Sequence, residues 1–134
     1  MIVEDEQDLL TLYKDFLKNK GYSVLVTNTT ATHIMDDYTE FRPDLIILDY
    51  RLPDEKNGID AAKEILLTYP SVPILLTTAY DSIKDVFNNE ELFKDKRITL
   101  AIKPIRLFIL DKLIKQLIND NWFRYIITVF KIIL

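Results

Sequence analysis

A run of four apolar residues between two prolines constrains the fold of this chain more than any other feature. Leu45 to Leu48 are too few for a convincing helix, and Pro43 and Pro53 bound the run on both sides. We interpret the run as a strand buried on both faces, which is typical of a parallel sheet. The strand ends on a carboxylate, Asp49. Ligands of open α/β sheets bind beyond the carboxyl ends of strands, but Asp is also common in turns, so this stretch leaves both interpretations of Asp49 open.

Strand-like and helical patterns alternate along the rest of the chain. The predicted strands cover residues 2–3, 22–26, 45–48, 73–77 and 98–102. The predicted helices cover residues 6–20, 31–41, 59–69, 81–93 and 105–118, with Gly21 closing the first and Thr29 or Thr30 capping the second. Five strands alternating with five helices predict a doubly wound α/β domain with a parallel sheet and helices on both faces.

The composition fits a single soluble domain and excludes several functional classes. With 134 residues, of which 49% are apolar and 28% charged, the chain has room for one ordinary core. A net charge of −4 provides no basic footprint for nucleic acid, and the absence of cysteine excludes disulfides and thiolate metal sites. No signal peptide is visible, and no apolar run reaches the ~20 residues that a membrane span needs. We therefore expect a cytoplasmic protein without a membrane span or a nucleic-acid partner.

Polar side chains recur at the carboxyl ends of the predicted strands. Glu4 and Asp5 follow the first strand, Asp49 ends the third, Thr78 follows the fourth and Lys103 follows the fifth. These ends share one edge of a parallel sheet, so the side chains are expected to converge. Three carboxylates that meet there would repel one another, and a hard cation such as Mg²⁺ relieves that repulsion. A lysine and a hydroxyl beside them would suit a phosphoryl group held on an aspartate.

Each of these residues has a simpler interpretation when it is considered alone. Glu4 and Asp5 could be an acidic helix start, Thr78 a strand-end cap, and Lys103 a solvated side chain. Their coincidence at four strand ends favours a shared site. His33 has no cysteine or suitably spaced carboxylate near it in sequence, so we expect a surface histidine.

Four short motifs, at residues 3–6 (VEDE), 48–53 (LDYRLP), 77–79 (TTA) and 103–104 (KP), carry a family resemblance. Over residues 1–118 the sequence resembles the receiver domain of two-component response regulators. The resemblance implies a flavodoxin-like fold with a five-stranded parallel sheet in the order 2-1-3-4-5. It also implies phosphotransfer from a sensor histidine kinase or a phosphotransfer protein, followed by a change in the binding of an output partner that the sequence does not identify. A homodimer is one such form of binding.

The resemblance assigns expected roles to the acidic residues and their neighbours. Asp49 resembles the phospho-accepting aspartate. Glu4 and Asp5 resemble the acidic pair that binds Mg²⁺ together with Asp49, and the backbone carbonyl of Arg51 would complete the metal site. In the family, the positions two residues after the phosphoacceptor and after the switch hydroxyl flank the phosphoryl group, and here they hold Arg51 and Tyr80.

The remaining family positions are only partly matched. Thr78 resembles the switch hydroxyl and Lys103 the phosphoryl-binding lysine, and the Lys103–Pro104 peptide bond is cis in the family. Leu100 occupies the position of the switch aromatic, so the usual aromatic rotamer change is not expected. Gly58 lies one residue farther from Asp49 than is usual, which predicts a slightly enlarged loop. The first strand is shorter than in most receivers, which indicates either a clipped strand or a misassigned start.

Two other functions compete with a working receiver. A Mg²⁺-dependent phosphatase with an aspartate nucleophile would need an acid two residues after Asp49, where Arg51 stands, and arginine cannot donate a proton usefully. We therefore expect no enzyme activity beyond self-catalysed phosphorylation and dephosphorylation. The alternative is a vestigial receiver that acts as a phosphorylation-independent dimerisation or interaction module, which Leu100 and the C-terminal tail motivate.

The C-terminal tail, residues 119–134, has no counterpart in the resemblance. Residues 122–134 are apolar at ten of thirteen positions, so the segment would be an interaction or aggregation hazard if it were exposed. Another copy of the chain, a membrane surface, or no partner at all remain open. Thirteen residues in a helix rise only about 20 Å, which is too short to cross a bilayer. We expect no DNA-binding domain after residue 118.

Overall fold

The computed structural model describes residues 1–119, which form an alternating α/β domain. The strands are β1 (Ile2–Val3), β2 (Thr27–Asn28), β3 (Ile46–Asp49), β4 (Ile74–Thr78) and β5 (Ile98–Ile102). The helices are α1 (Gln7–Asn19), α2 (Ile34–Phe41), α3 (Gly58–Thr68), α4 (Ile83–Asn88) and α5 (Leu107–Ile118), with a short 3₁₀ turn at Glu91–Phe93. The expectations for residues 120–134 lie outside the described residues.

All five strands pair in parallel, in the order β2-β1-β3-β4-β5. The predicted fold class is therefore confirmed, including the strand order that the family resemblance implied. In this arrangement Asp49 at the end of β3 lies in register with Thr77 of β4, and Thr78 in register with Ile102 of β5. The polar residues that follow the strands consequently reach the same edge, which we call the carboxyl edge. The opposite edge, where the strands begin, is the amino edge.

The continuous apolar strands are buried because both faces of the sheet are covered. Alternate side chains of β3 and β4 pack into two separate clusters. One cluster, with α2 and α3, includes Ile46, Leu48, Ile74, Leu76, Ile59 and Ile65. The other, with α1 and α5, includes Ile47, Leu75, Leu10, Tyr13, Leu110 and Ile114. The central strand is thus held rigidly up to Asp49, as the run between two prolines predicts.

Several element bounds differ from the prediction. The second strand was predicted over 22–26, but only residues 27–28 pair as a strand, because β1 is its single neighbour and is itself two residues long. The helix α2 begins at Ile34 rather than near Ala31, because Thr30 accepts the N–H of Thr32 within a preceding turn. Arg106 is extended, so α5 begins at Leu107 rather than at residue 105.

The predicted helix over 81–93 is interrupted. It divides into α4 and the 3₁₀ turn, since Asn88 and Asn89 are weak helix formers and the Glu90 side chain accepts the N–H of Leu92. Gly21 has a φ of +93°, which agrees with its expected position after the first helix. His33 is exposed, as expected. Within residues 1–119, no helix is long and apolar enough to cross a membrane.

Candidate functional site

Three carboxylates meet at the carboxyl edge of the sheet. Glu4 follows β1 and is 1% exposed, Asp49 ends β3 and is 4% exposed, and Asp5 is open to solvent. One carboxylate oxygen of each residue lies within 4.8 Å of the other two. Glu4 Oε1 accepts the backbone N–H of Glu6 at 3.1 Å, which fixes the Glu4 side chain just before the start of α1. The predicted convergence of the acids is therefore present in the fold.

Lys103 supplies the positive charge of the site. Its Nζ donates to Glu4 Oε2 at 2.8 Å and lies 3.2 Å from Asp49 Oδ1. The backbone N–H of Lys103 donates to the carbonyl of Thr78 at 2.7 Å, and its peptide bond to Pro104 is cis. Burial opposes the charged ammonium, but the hydrogen bond to Glu4 and the charge of Asp49 outweigh it and raise the pKa of Lys103. The lysine is therefore held as a cation against both buried acids.

One lysine does not neutralise the cluster. Burial first, and the charge of Glu4 second, raise the pKa of Asp49 from 3.8 to about 7, although Lys103 acts in the opposite direction. Burial and the neighbouring Glu4 both disfavour the ionised form of Asp49, so a cation bound beside it would stabilise that form. Three carboxylates of graded exposure, with the outermost open to solvent, also match the oxygen ligands that Mg²⁺ prefers. The residues therefore fit a divalent cation.

Two threonines at the end of β4 lie beside Asp49. Thr78 is 1% exposed, and its Oγ1 accepts the backbone N–H of Tyr80 at 3.1 Å. Thr77 is fully buried, and among the described residues its Oγ1 has no hydrogen-bond partner. Sequence analysis selected Thr78 but missed Thr77, which pairs with Asp49 across the β3–β4 ladder. The sequence signal that could have identified Thr77 is its position at the end of a predicted strand, next to Thr78.

Arg51 and Tyr80 form a bridge over the rim of the site. Both side chains are exposed, the guanidinium of Arg51 donates to the phenolic oxygen of Tyr80, and its Cζ lies 5.9 Å from the ring centroid. The contact joins the loop after β3 to the loop after β4. These loops begin directly after Asp49 and Thr78, respectively. The two flanking positions are therefore in direct contact with each other.

Gly58, at the start of α3, packs directly against the backbone at the end of β3, a contact that the sequence did not reveal. Its N–H donates to the carbonyl of Tyr50 at 2.8 Å, and a Cβ at this position would lie 2.3 Å from the carbonyl oxygen of Asp49. Asn57 and Asp60 form a capping box that fixes the start of α3 at the same point. The loop thus returns to the end of β3, and only a glycine fits at the point of closest approach.

The family of the chain follows from a match over most of its length. Residues 1–108 match the model of the response regulator receiver domain. The chain belongs to this family. Receiver domains are signalling modules rather than classical enzymes.

Curated relatives and solved structures agree with this assignment. The chain is 34% identical over 79 residues to the chemotaxis protein CheY of Thermotoga maritima, covering 59% of this chain and 65% of CheY. It is 33% identical over 104 residues to the transcriptional regulatory protein PhoP of Bacillus subtilis, covering 78% of this chain and 42% of PhoP. The chain thus spans less than two thirds of the length of these relatives.

Receiver domains of known structure have the same fold. The non-phosphorylated HemR receiver domain of Leptospira biflexa superimposes with a TM-score of 0.74 at 28% identity, covering 88% of this chain and 91% of HemR. The PhyR receiver domain of Erythrobacter litoralis gives a TM-score of 0.71 at 25% identity, covering 87% and 85% of the two chains.

Leu100 is the residue that the sequence analysis expects at the position of the switch aromatic. Leu100 lies on β5, is partly buried and, like Phe87 and Leu92, packs against the core cluster that includes Leu48 and Leu76. An aliphatic side chain in this position has no ring to exchange between an exposed and a buried rotamer. The bond between Thr78 Oγ1 and the Tyr80 N–H joins the end of β4 to the turn that precedes α4.

Proposed function

We propose that this chain is a phosphorylation-controlled signalling module that accepts a phosphoryl group on Asp49. The observation that carries the proposal is the cluster of Asp49, Glu4 and Asp5 around the Lys103 ammonium at the carboxyl edge. In the transfer, a carboxylate oxygen of Asp49 forms a bond to phosphorus as the bond from phosphorus to a histidine nitrogen of the donor breaks. The imidazole that leaves retains the electron pair and takes up a proton.

Mg²⁺ is the cofactor that this proposal requires. Glu4, Asp5 and Asp49 would hold it with the backbone carbonyl of Arg51, Asp5 directly and Glu4 partly through water. The ion, when bound, supplies positive charge to the phosphoryl oxygens. The raised pKa of Asp49 supports this part of the proposal, because Lys103 alone leaves its carboxylate short of positive charge.

Lys103 and Thr78 are proposed to bind the phosphoryl group and to transmit its presence. The Lys103 ammonium already lies 3.2 Å from Asp49 Oδ1, so a small movement would bring it to a phosphoryl oxygen. A Thr78 hydroxyl that turns towards the phosphoryl group withdraws its oxygen from the Tyr80 N–H. Tyr80 in turn accepts the N–H of Ile83 at the start of α4, so the change would reach that helix without an aromatic switch.

The partners belong to the proposal as well. The donor is a sensor histidine kinase or a phosphotransfer protein. Phosphorylation changes the binding of the chain to an output partner, and a second copy of the chain is one candidate for that partner. Phosphorylation by small donors and dephosphorylation would be self-catalysed at the same site. We place the receiver unit at residues 1–118, ending with α5, in a protein of the cytoplasm.

Intact mass after incubation with Mg²⁺ and a small phosphodonor tests the assignment. The parent is expected to gain one phosphoryl group, labile to base, and Asp49→Asn is expected to gain none because it lacks the nucleophilic carboxylate. Asp54→Asn is the matched control, since Asp54 is exposed, lies on the same loop and has a φ of 73° that asparagine tolerates.

Three results would contradict the proposal in different ways. A mass gain that persists in Asp49→Asn would place the phosphoryl group elsewhere. A parent that gains no mass would favour the vestigial module, and continuous turnover of the donor without an accumulating adduct would favour a phosphatase.

A further inference from the structure

We propose that Thr77 is a positioning residue for phosphoryl transfer, whose hydroxyl donates to the Asp49 carboxyl group while the phosphoryl group arrives or leaves. The inference rests on the proposed function and adds to it a hydroxyl other than that of Thr78. Within the described part of the chain, Thr77 has no exposed surface and its Oγ1 has no hydrogen-bond partner. A buried polar group of this kind beside a reacting side chain calls for a functional explanation.

The register of the strands places Thr77 directly beside Asp49. The two residues are paired in the parallel ladder between β3 and β4, and two residues earlier Ile47 and Leu75 belong to the cluster under α1 and α5. Because side chains alternate between the faces of a sheet, Asp49 and Thr77 share that face. Neighbouring strands lie about 4.8 Å apart, so a hydroxyl and a carboxylate oxygen on paired residues reach hydrogen-bond distance by side-chain rotation alone.

The resting site does not use the Thr77 hydroxyl. The ammonium of Lys103 lies 3.2 Å from Asp49 Oδ1, whereas Thr77 Oγ1 is unpartnered. Burying a hydroxyl without a hydrogen bond disfavours the state that contains it. A valine has nearly the same shape and no polar atom, so the resting site gives no reason for a threonine at this position. The hydroxyl therefore points to another state of the site, in which it is bonded.

Tyr13 covers the same face of the sheet and separates it from water. It is 1% exposed on α1 and lies in one cluster with Ala101, the residue of β5 that pairs with Thr77. Burial, partly opposed by the charge of Lys103, raises the pKa of Tyr13, so its phenol is close enough to the site to be affected by the charges there. Thr77 thus lies between a small apolar neighbour on β5 and the carboxylate of Asp49 on β3.

Phosphoryl transfer changes the charges on the Asp49 carboxyl group. When one carboxylate oxygen forms its bond to phosphorus, the leaving group of the donor retains its electron pair, and the other oxygen of Asp49 becomes a carbonyl oxygen. In hydrolysis a water oxygen bonds to phosphorus, the bond from phosphorus to Asp49 breaks, and its electron pair returns to the carboxylate while a proton of the water passes to solvent. Thr77 donates to the oxygen that does not carry phosphorus and keeps its own proton throughout.

A bond that is stronger in the transition state than in the starting state accelerates the step. During phosphorylation the bond from Thr77 is newly made, because the resting site lacks it. During hydrolysis the acceptor oxygen gains negative charge as the carboxylate forms again, which strengthens the bond. One hydroxyl therefore speeds both reactions. Its removal should slow each of them by about twofold to tenfold, the range that a hydrogen bond of ordinary net strength supplies.

The variant Thr77→Val tests the inference, because it removes the hydroxyl and keeps the shape. Intact mass follows two rates in Mg²⁺ buffer: the gain of a phosphoryl group from a small acyl phosphate donor, and its loss after the donor is removed. We expect both rates to fall by about twofold to tenfold. The urea midpoint of the unphosphorylated protein should stay the same or rise, because the resting site loses only an unpartnered hydroxyl. Thr77→Ser restores the hydroxyl and should recover most of the lost rate.

Thr99→Val is the matched control. Thr99 lies on β5, is partly buried and pairs with Leu75, so the same chemical change is made on the same face of the sheet but farther from the carboxyl edge. Both rates should remain at the parental value in this variant. A fall in Thr99→Val equal to that in Thr77→Val would show a general effect of the sheet and overturn the inference.

Other outcomes separate this inference from the proposed function. A parent that gains no phosphoryl group would overturn the proposed function and this inference with it. A parent that gains one, with parental rates in Thr77→Val, would overturn this inference alone. Slowing in Thr77→Ser as large as in Thr77→Val, or a lower urea midpoint in Thr77→Val, would assign Thr77 a structural role instead. An effect of Thr77→Val that disappears in a Tyr13→Phe background would make Tyr13, rather than Asp49, the partner of the hydroxyl.

Discussion

Replacing Gly58 with alanine should damage the site as well as the fold. The added methyl carbon would lie 2.3 Å from the carbonyl oxygen of Asp49 and 2.8 Å from the Cα of Tyr50, both of them backbone atoms. Ordinary contacts begin at 3.4 Å, so the end of β3 and the start of α3 must separate by about 1 Å. That movement strains the hydrogen bond from the Gly58 N–H to the Tyr50 carbonyl.

Overpacking of this size costs about 1–3 kcal/mol of folding free energy. The backbone that has to move belongs to Asp49 itself, and a misplacement of about 1 Å in a reacting group can slow a reaction on the order of 100-fold. The chain offers a matched control in its only other glycine. Gly21 has a φ of +93° and nothing within 4 Å of an added Cβ, so Gly21→Ala should cost about 1–2 kcal/mol through backbone strain alone.

The two variants are compared in urea unfolding and in phosphorylation by a small donor with Mg²⁺. Both are expected to unfold at lower urea concentration than the parent, but only Gly58→Ala should also be phosphorylated more slowly, by about tenfold to 100-fold. The reasoning would be refuted if Gly58→Ala were phosphorylated at the parental rate, or if Gly21→Ala were slowed to the same extent.

Three further predictions concern the metal, the phosphoryl lifetime and alkaline stability. Asp5→Asn should weaken Mg²⁺ binding in calorimetric titration; parental affinity would make the acid only a helix-start feature. Arg51→Asn with Tyr80→Ala should shorten the lifetime of the phosphorylated protein in Mg²⁺ buffer, because the bridged side chains obstruct in-line attack by water more than the cation assists it; slower decay would show the opposite. Burial and the hydrogen bond to Asp111 raise the pKa of Tyr22 from 10.0 to about 12, so its contribution to stability is complete below pH 10 and is lost as pH rises towards 12. Tyr22→Phe should therefore reduce the fall of the urea unfolding midpoint between pH 10 and 12. An unchanged fall in the variant would contradict the assignment.

The sequence predicts the fold well where burial dictates the pattern. The apolar run at residues 45–48 predicts a strand covered on both faces, and residues 46–48 lie in such a strand. The prediction was wrong for the second strand, at residues 22–26, because strand-forming residues pair only where a neighbour extends alongside them. That neighbour, β1, has only two residues. The N–H of Ile2 donates to the carbonyl of Val26, and the ladder does not continue to the residues before Val26. Local propensity carries no information about the length of a partner strand.

Convergence of the site residues is predictable for a topological reason. Once the strands are parallel, Glu4, Asp49, Thr78 and Lys103 must reach one edge, whatever their separation in sequence. The bridge between Arg51 and Tyr80, by contrast, depends on two long side chains from different loops that adopt rotamers which meet. The close approach behind Gly58 depends on the path of the loop from Tyr50 back to β3. Neither has a periodic signature, so sequence patterns could not reveal them.

The charge balance of the site argues for a second cation more strongly than the acid count alone. Water can screen the charges of carboxylates that are exposed to solvent, and Asp5, the outermost of the three, is exposed. The two buried acids cannot be, and Lys103 spans them at 2.8 and 3.2 Å. Even so, the pKa of Asp49 stays raised to about 7, because burial and the charge of Glu4 exceed what one ammonium offsets. A phosphoryl group adds further negative charge at the same atoms, so Lys103 would have to divide its donors between Glu4 and the new oxygens. We therefore expect phosphorylation of Asp49 to require another positive charge beside the carboxylates, as the proposed function assumes.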